Sequence, residues 1–230
     1  LDRMGFRMNP GSSAAQLLDT MVARLFELCK GLVGPERDSR LAALVDRMRG
    51  MGQMERALQV VDAIGDKPLA MWKRIELAEF MGKAVEAAKM CEELENMDNK
   101  ALSRRALETR AHLYKDRLAR YGDAIKLYNE INTPPGTVWS AIECYERWGK
   151  PAEADNLCSE IETFFANEAP KAALHKVRIW EKAGDKAKAI AAARAVMKKY
   201  PKAGQASQAH QILERYGVKT GGGVVEGQLN

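Results

Sequence analysis

No part of this chain is long and uncharged enough to cross a bilayer as a helix. The longest run without Asp, Glu, Lys or Arg covers residues 131–142 and is interrupted by Pro134 and Pro135, whereas a spanning helix needs about 20 apolar residues. Cysteine is sparse and unpatterned. Cys29, Cys91, Cys144 and Cys158 show no C-x-x-C spacing, which removes the usual zinc and dithiol motifs. The histidines, His112, His175 and His210, are scattered, and no H-E-x-x-H, Walker A, G-x-G-x-x-G or nucleophile-elbow pattern occurs. The glycine run 221–223 does not open a helical pattern, so it makes no phosphate cradle. No catalytic, cofactor-binding or metal-ligating residue is therefore expected, no cofactor is called for, and the chain reads as non-enzymatic. Gly and Pro are modest, at 18 and 8 residues of 230, beside 46% hydrophobic and 29% charged residues, which excludes a collagen-like or largely disordered chain.

Residues 1–12 lack the charged-then-apolar layout of a secretory signal and are expected to be a disordered leader or a truncated region. Unpaired cysteines favour a reducing, cytoplasmic setting, with an envelope or secreted location open if a signal lies upstream.

What the chain does contain is a repeat. Ala57, Ala87, Ala124, Ala154 and Ala189 anchor it at intervals of 30, 37, 30 and 35, and Gly52, Gly82, Gly149 and Gly184 precede four of them by five residues. Seven after the anchor stand Ile64, Leu94, Ile131, Ile161 and Val196; four after stand Val61, Cys91, Tyr128, Cys158 and Ala193. Offsets of 0, 3, 4 and 7 trace one face of a helix. Twelve before the anchor come Val45, Ile75, His112, Ile142 and Val177, the core column of a second helix that ends near the glycine, whose left-handed backbone closes it.

The spacing predicts a leading helix around 13–31 and helix pairs near 36–64, 68–97, 99–132, 136–166 and 169–199, with no strand. Pro35, Pro68, Pro134, Pro170 and Pro201 are read as lying between elements. The third pair lacks a turn glycine, and its first helix is expected to be extended. His112, in a core column, is expected to be buried, and Cys91 and Cys158 are expected to pack as small hydrophobes. Most of the methionines, including Met48, Met51, Met54, Met81 and Met90, are read as core filling. In 202–216, Ala206, Ala209, Ile212, Leu213 and Tyr216 share one face opposite Gln205, Ser207, Gln208 and Gln211, the pattern of a capping helix. Helical repeats are thus expected over 13–216, followed by a flexible Gly-rich tail at 217–230.

The Gly-to-Ala spacing, the bulky residue four after the anchor in the first four units, Tyr145 and Trp180 nine before it, and Pro201 twelve after Ala189 resemble the tetratricopeptide repeats. The resemblance covers about Arg37 to Tyr216. It implies an all-α, right-handed α-solenoid of about five helix-turn-helix repeats with a C-terminal capping helix, whose first helices line a concave, protein-binding face. Large residues twelve before and seven after the anchor are closer to the pentatricopeptide repeats, which bind RNA. That reading stays open, as does an accessory repeat domain of a larger envelope assembly or enzyme.

On the first helices, Trp72, Glu76 and Glu79 share one face, as do Trp139, Glu143 and Glu146. With Arg178 in the equivalent column of the fifth unit, these are the expected partner-binding residues. Aromatic plus carboxylate suits a peptide with a basic-apolar motif. The competing reading packs the tryptophans between repeats and leaves the glutamates solvated. The Lys and Asn of the chaperone-tail clamp in related domains are missing, since those columns hold Ala42, Trp72, Trp139 and Leu174, then Asp46, Glu76, Glu143 and Arg178. The base-reading column of the pentatricopeptide pattern holds Ala43, Lys73, Arg110, Ser140 and His175, of which only Ser140 fits. Charge is uneven: 134–168 carry 2 basic and 7 acidic residues, while 169–216 carry 11 and 3. The basic C-terminal repeat is expected to make weak, non-specific contact with polyanions.

Overall fold

The structure, a computed structural model, describes residues 14–218. The leader and most of the tail lie outside them. Twelve helices and no strand occur among the described residues: α1 (Ala14–Lys30), α2 (Gly34–Gly50), α3 (Met54–Asp62), α4 (Lys67–Phe80), α5 (Ala84–Glu95), α6 (Lys100–Asp116), α7 (Tyr121–Ile131), α8 (Gly136–Arg147), α9 (Pro151–Phe164), α10 (Ala169–Lys182), α11 (Lys186–Lys199) and α12 (Gly204–Arg215). These are the leading helix, the five pairs and the cap expected from the repeat. The chain divides between Leu118 and Ala119 into two compact units, one holding α1–α6 and the other α7–α12.

Helix ends follow local chemistry. Asp66, Asn99 and Asp185 accept hydrogen bonds from the backbone N–H groups of Leu69, Leu102 and Lys188, capping α4, α6 and α11. Pro35, Pro68, Pro151 and Pro170 stand in first turns. Pro35, Pro68 and Pro170 are therefore inside helices, not between them, because the first N–H groups of a helix have no intrahelical partner to lose. At the C-terminal end of α8, Gly149 has φ +74° and Lys150 N–H bonds to Tyr145 O at 2.9 Å, a Schellman-type closure. Gly52, Gly82 and Gly184 repeat the conformation.

The third turn differs. Ala119 carries the positive φ, +51°, and the loop from Arg117 to Arg120 is one residue longer than Met81–Lys83. Core positions twelve, ten and nine before the anchor in α4 (Ile75, Leu77, Ala78) fall thirteen, eleven and ten before it in α6 (Ala111, Leu113, Tyr114). His112 is accordingly exposed, not a core residue. α6 is 17 residues long against 14 for α4 and α10, the same length as α2.

Each unit has its own core. In the first, Leu41, Val45, Met48, Ala57, Val60, Val61 and Leu77 cluster, with Val22 and Phe26 of α1, Met54 and Met81 packed on them. Met48 is buried, but Met51 is exposed. In the second, Ile142, Ala154, Cys158, Ile161, Ala172 and Ile179 join α8–α10. Val177, Ala189, Ala193, Val196, Ala209, Ile212 and Leu213 join α10–α12. All five anchor alanines are 0% exposed. Small side chains there let the second helix of each pair approach its neighbours closely.

Candidate partner-binding surfaces

In the first unit, α2, α4 and α6 together line a surface hollow of about 410 Å³, to which Arg49, Trp72, Glu76, Glu79, Phe80, Arg105 and Thr109 contribute. Trp72, Glu76 and Glu79 thus do share one face, but they are not equivalent. Trp72 is only 5% exposed, and the Arg105 guanidinium lies 4.2 Å from its ring centroid, a cation–π arrangement. Glu76 is occupied: Lys73 Nζ is 2.8 Å away, with Arg49 at 3.6 Å and Arg105 at 4.0 Å. Lys73, itself buried, also reaches Asp46 at 2.8 Å. This network joins α2, α4 and α6.

Glu79 is exposed and has no direct ion-pair partner among the described residues. Its pKa is raised, first by burial of the carboxyl group and then by the charge of Glu76, against the pull of Arg117, Arg105 and Arg49. Beside it, Phe80 is 62% exposed and also walls a second hollow of about 500 Å³ with Val85, Leu113, Arg117 and Leu118. The spacing of Trp and Glu did not point to Phe80, Arg49, Arg105 or Thr109. The legible signal was an aromatic at the last position of α4, two residues before the turn glycine.

In the second unit, Trp139 is half-buried. Its indole N–H donates to Glu168 Oε2 at 3.2 Å, Lys171 Nζ sits 4.5 Å from the ring centroid, and the His175 ring meets it edge-on at 5.4 Å. The Glu168 carboxyl is held below its ordinary range, chiefly by the hydrogen bond from Lys171, with burial opposing. His175 Nε2 lies 2.9 Å from Glu146 Oε2, and Glu143 pairs with Arg147 one turn on. Arg178, exposed on α10, donates to Gln208 Oε1 on α12 at 3.2 Å. Trp139, Glu143 and Glu146 each have a partner within the unit, and Glu146 also lines a hollow of about 320 Å³ with Gly149, Pro151, Ile179, Lys182 and Ala183.

The base-reading column is similarly committed. Lys73 pairs with Asp46 and Glu76, Arg110 with Glu95 at 2.6 Å, and His175 with Glu146, while the Ser140 hydroxyl bonds to Gly136 O. Lys73, Arg110 and His175 tie helices together, and Ser140 bonds within α8.

Two solved structures share the fold: the nearly identical tetratricopeptide-like repeats of a Podosopora anserina kinesin light chain, at 15% identity and a TM-score of 0.50 over 75% of this chain and all of that one, and a tetratricopeptide repeat protein from Parabacteroides merdae, at 16% identity and 0.50 over 88% and 83%. No family model and no curated protein matches the sequence. The chain has a tetratricopeptide-like helical-repeat fold.

Proposed function

We propose that the chain is a non-enzymatic interaction scaffold whose first unit binds a protein segment carrying an apolar anchor beside a basic residue. The observation that carries this reading is the pairing of an exposed Phe80 with an unpaired Glu79 at the edge of a hollow built from α2, α4 and α6. Exposed aromatics at the rim of a concavity contribute contact area at low entropic cost, and a carboxylate on which Arg117, Arg105 and Arg49 act without forming a direct ion pair can pair with a partner's Lys or Arg. Trp72 and Glu76 shape and preorganise the floor more than they touch a partner. Trp139, Glu143, Glu146 and Arg178 serve as a second, more polar contact region in the other unit. The tetratricopeptide-like fold supports a protein-interaction role in general.

The test is affinity capture with the intact chain, followed by fluorescence anisotropy with the captured segment as a synthetic peptide. Phe80→Ala should weaken binding by roughly tenfold or more, with Glu79→Gln giving a smaller loss. Retained affinity in both variants, or capture of RNA that withstands physiological salt, refutes the proposal.

A further inference from the structure

A second surface lies in the C-terminal unit, between the second helices of the last two pairs. Here α9 and α11 flank α10 and leave a groove of about 420 Å³. Its floor is Ala173 and the half-buried Trp180 of α10, and its α11 wall is made of Ala191, Ala192 and Ala195. Ala191 and Ala195 are exposed and sit one helical turn apart, so a partner backbone can come close without meeting a side chain. Lys188 and Lys199 close the two ends of this wall. They stand eleven residues apart, about 16 Å along the helix, or three turns.

The charges of α11 are one-sided, with Lys188 paired to Asp185 just before the helix at 3.3 Å. α11 carries Lys186, Lys188, Arg194, Lys198 and Lys199 and no acidic residue. The acids on the opposite wall are already used: Glu162 pairs with Lys176 at 3.4 Å and Lys199 at 3.0 Å and accepts from the Tyr200 hydroxyl. Asp155 accepts the Trp180 indole N–H at 3.0 Å. Arg194 and Lys198 are exposed on the outer lip of α11 with no ion-pair partner among the described residues. Stacking of a nucleic-acid base is disfavoured, because the Lys188 ammonium sits over the Trp180 ring, 3.9 Å from its centroid.

We infer that this groove is a docking site for an acidic amphipathic helix of a partner protein, its small apolar face laid along Ala191 and Ala195 and its flanking carboxylates meeting Arg194 and Lys198. Close helix approach over alanines supplies the contact area, and the cationic lip supplies orientation and on-rate. This site is independent of the Phe80 hollow, so either can fail alone.

The probe is a helix-stabilised peptide of about 16 residues with Ala and Leu on one face and Glu flanking them, titrated into the full chain at physiological salt. A shuffled peptide of the same composition and single-stranded polyuridine serve as comparators. The patterned peptide should shift the methyl resonances of Ala191, Ala192 and Ala195, and Ala195→Glu should weaken it by roughly tenfold or more through steric and like-charge exclusion. Arg194→Ala with Lys198→Ala should lower affinity and its salt dependence without altering the fold, and Phe80→Ala should leave binding unchanged. Equal binding of the shuffled peptide or polyuridine, shifts confined to other helices, or full affinity in Ala195→Glu overturns the inference.

Discussion

Asp38 and Lys73 are the buried charged residues among those described, and Asp38 shows how a single carboxylate holds a loop. It accepts the backbone N–H groups of Gly65 at 3.1 Å and Asp66 at 2.7 Å, with Arg37 alongside. A Cβ on Gly65 would lie 2.6 Å from the Arg37 guanidinium, the far end of a flexible side chain that would have to move aside. Burial acts to raise the Asp38 pKa, but the two backbone bonds and Arg37 outweigh it and the net shift is downward. A lowered pKa means that the folded chain releases this proton more readily than the unfolded one. The stabilisation is therefore present above the ordinary carboxylate pKa, about 3.9, and is lost as pH falls through the folded value. Asp38→Ala should cost about 1–3 kcal/mol at neutral pH by leaving two N–H groups unpaired, and urea titrations should show the gap to wild type narrowing on acidification below about pH 4.

The thiols make a second prediction at this scale. Cys91 and Cys158 are 0% exposed, and burial, then the nearby carboxylates of Glu79 and Glu95 for one and Asp155 for the other, pushes both up to about 12. Thiolate is the reactive form, so a thiol reagent at pH 8 should label them slowly in the native chain and rapidly in denaturant. Fast native labelling would contradict their place in the core.

At the scale of the element, the third turn is the informative case. Gly149 adopts φ +74° with nothing within 4 Å of a built Cβ, so its requirement is conformational and not steric. Gly149→Ala should destabilise by about 1 kcal/mol and Gly149→Val by more, since left-handed backbone disfavours a Cβ and a β-branched one above all. Ala119 already bears that cost at φ +51°. Ala119→Gly should therefore stabilise the chain by roughly 0.5–1 kcal/mol, measured as a higher urea midpoint with an unchanged slope. This turn also marks the limit of what the sequence allowed. The Gly-to-Ala interval located four of the five helix pairs because glycine carries a backbone requirement that side-chain identity reports. Where Ala119 replaced it, the loop grew by one residue and the core column slid from His112 to Ala111, a change the anchor alignment had no glycine to register. The candidate site was half legible for a related reason: helical spacing placed Trp72, Glu76 and Glu79 on one face, but Lys73 on the same helix together with partners from α2 and α6 decides which of them is free. The more distant partners lie about 27 to 29 residues away in sequence, as with Lys73 and Asp46 or Trp139 and Glu168.

At the scale of the whole molecule, the two units present different surface chemistry. The first offers an exposed aromatic with an unpaired carboxylate, and the second offers an alanine-lined groove with a cationic lip. Because the Glu79 carboxyl has a raised pKa, its ionised form is held at some cost in the folded chain. Glu79→Gln should leave stability unchanged or raise it by up to about 0.5 kcal/mol while weakening a basic partner, and wild-type binding should decline on acidification from above the ordinary carboxylate range. That opposition of stability and affinity is the signature expected of a binding residue. A structural role alone would move stability downward. The most direct test of the scaffold reading is hydrogen exchange on the intact chain with and without its captured partner. The prediction is slowed exchange along the C-terminal half of α4 and the facing turns of α2 and α6, abolished by Phe80→Ala; protection that avoids the first unit, or that survives Phe80→Ala unchanged, would contradict it.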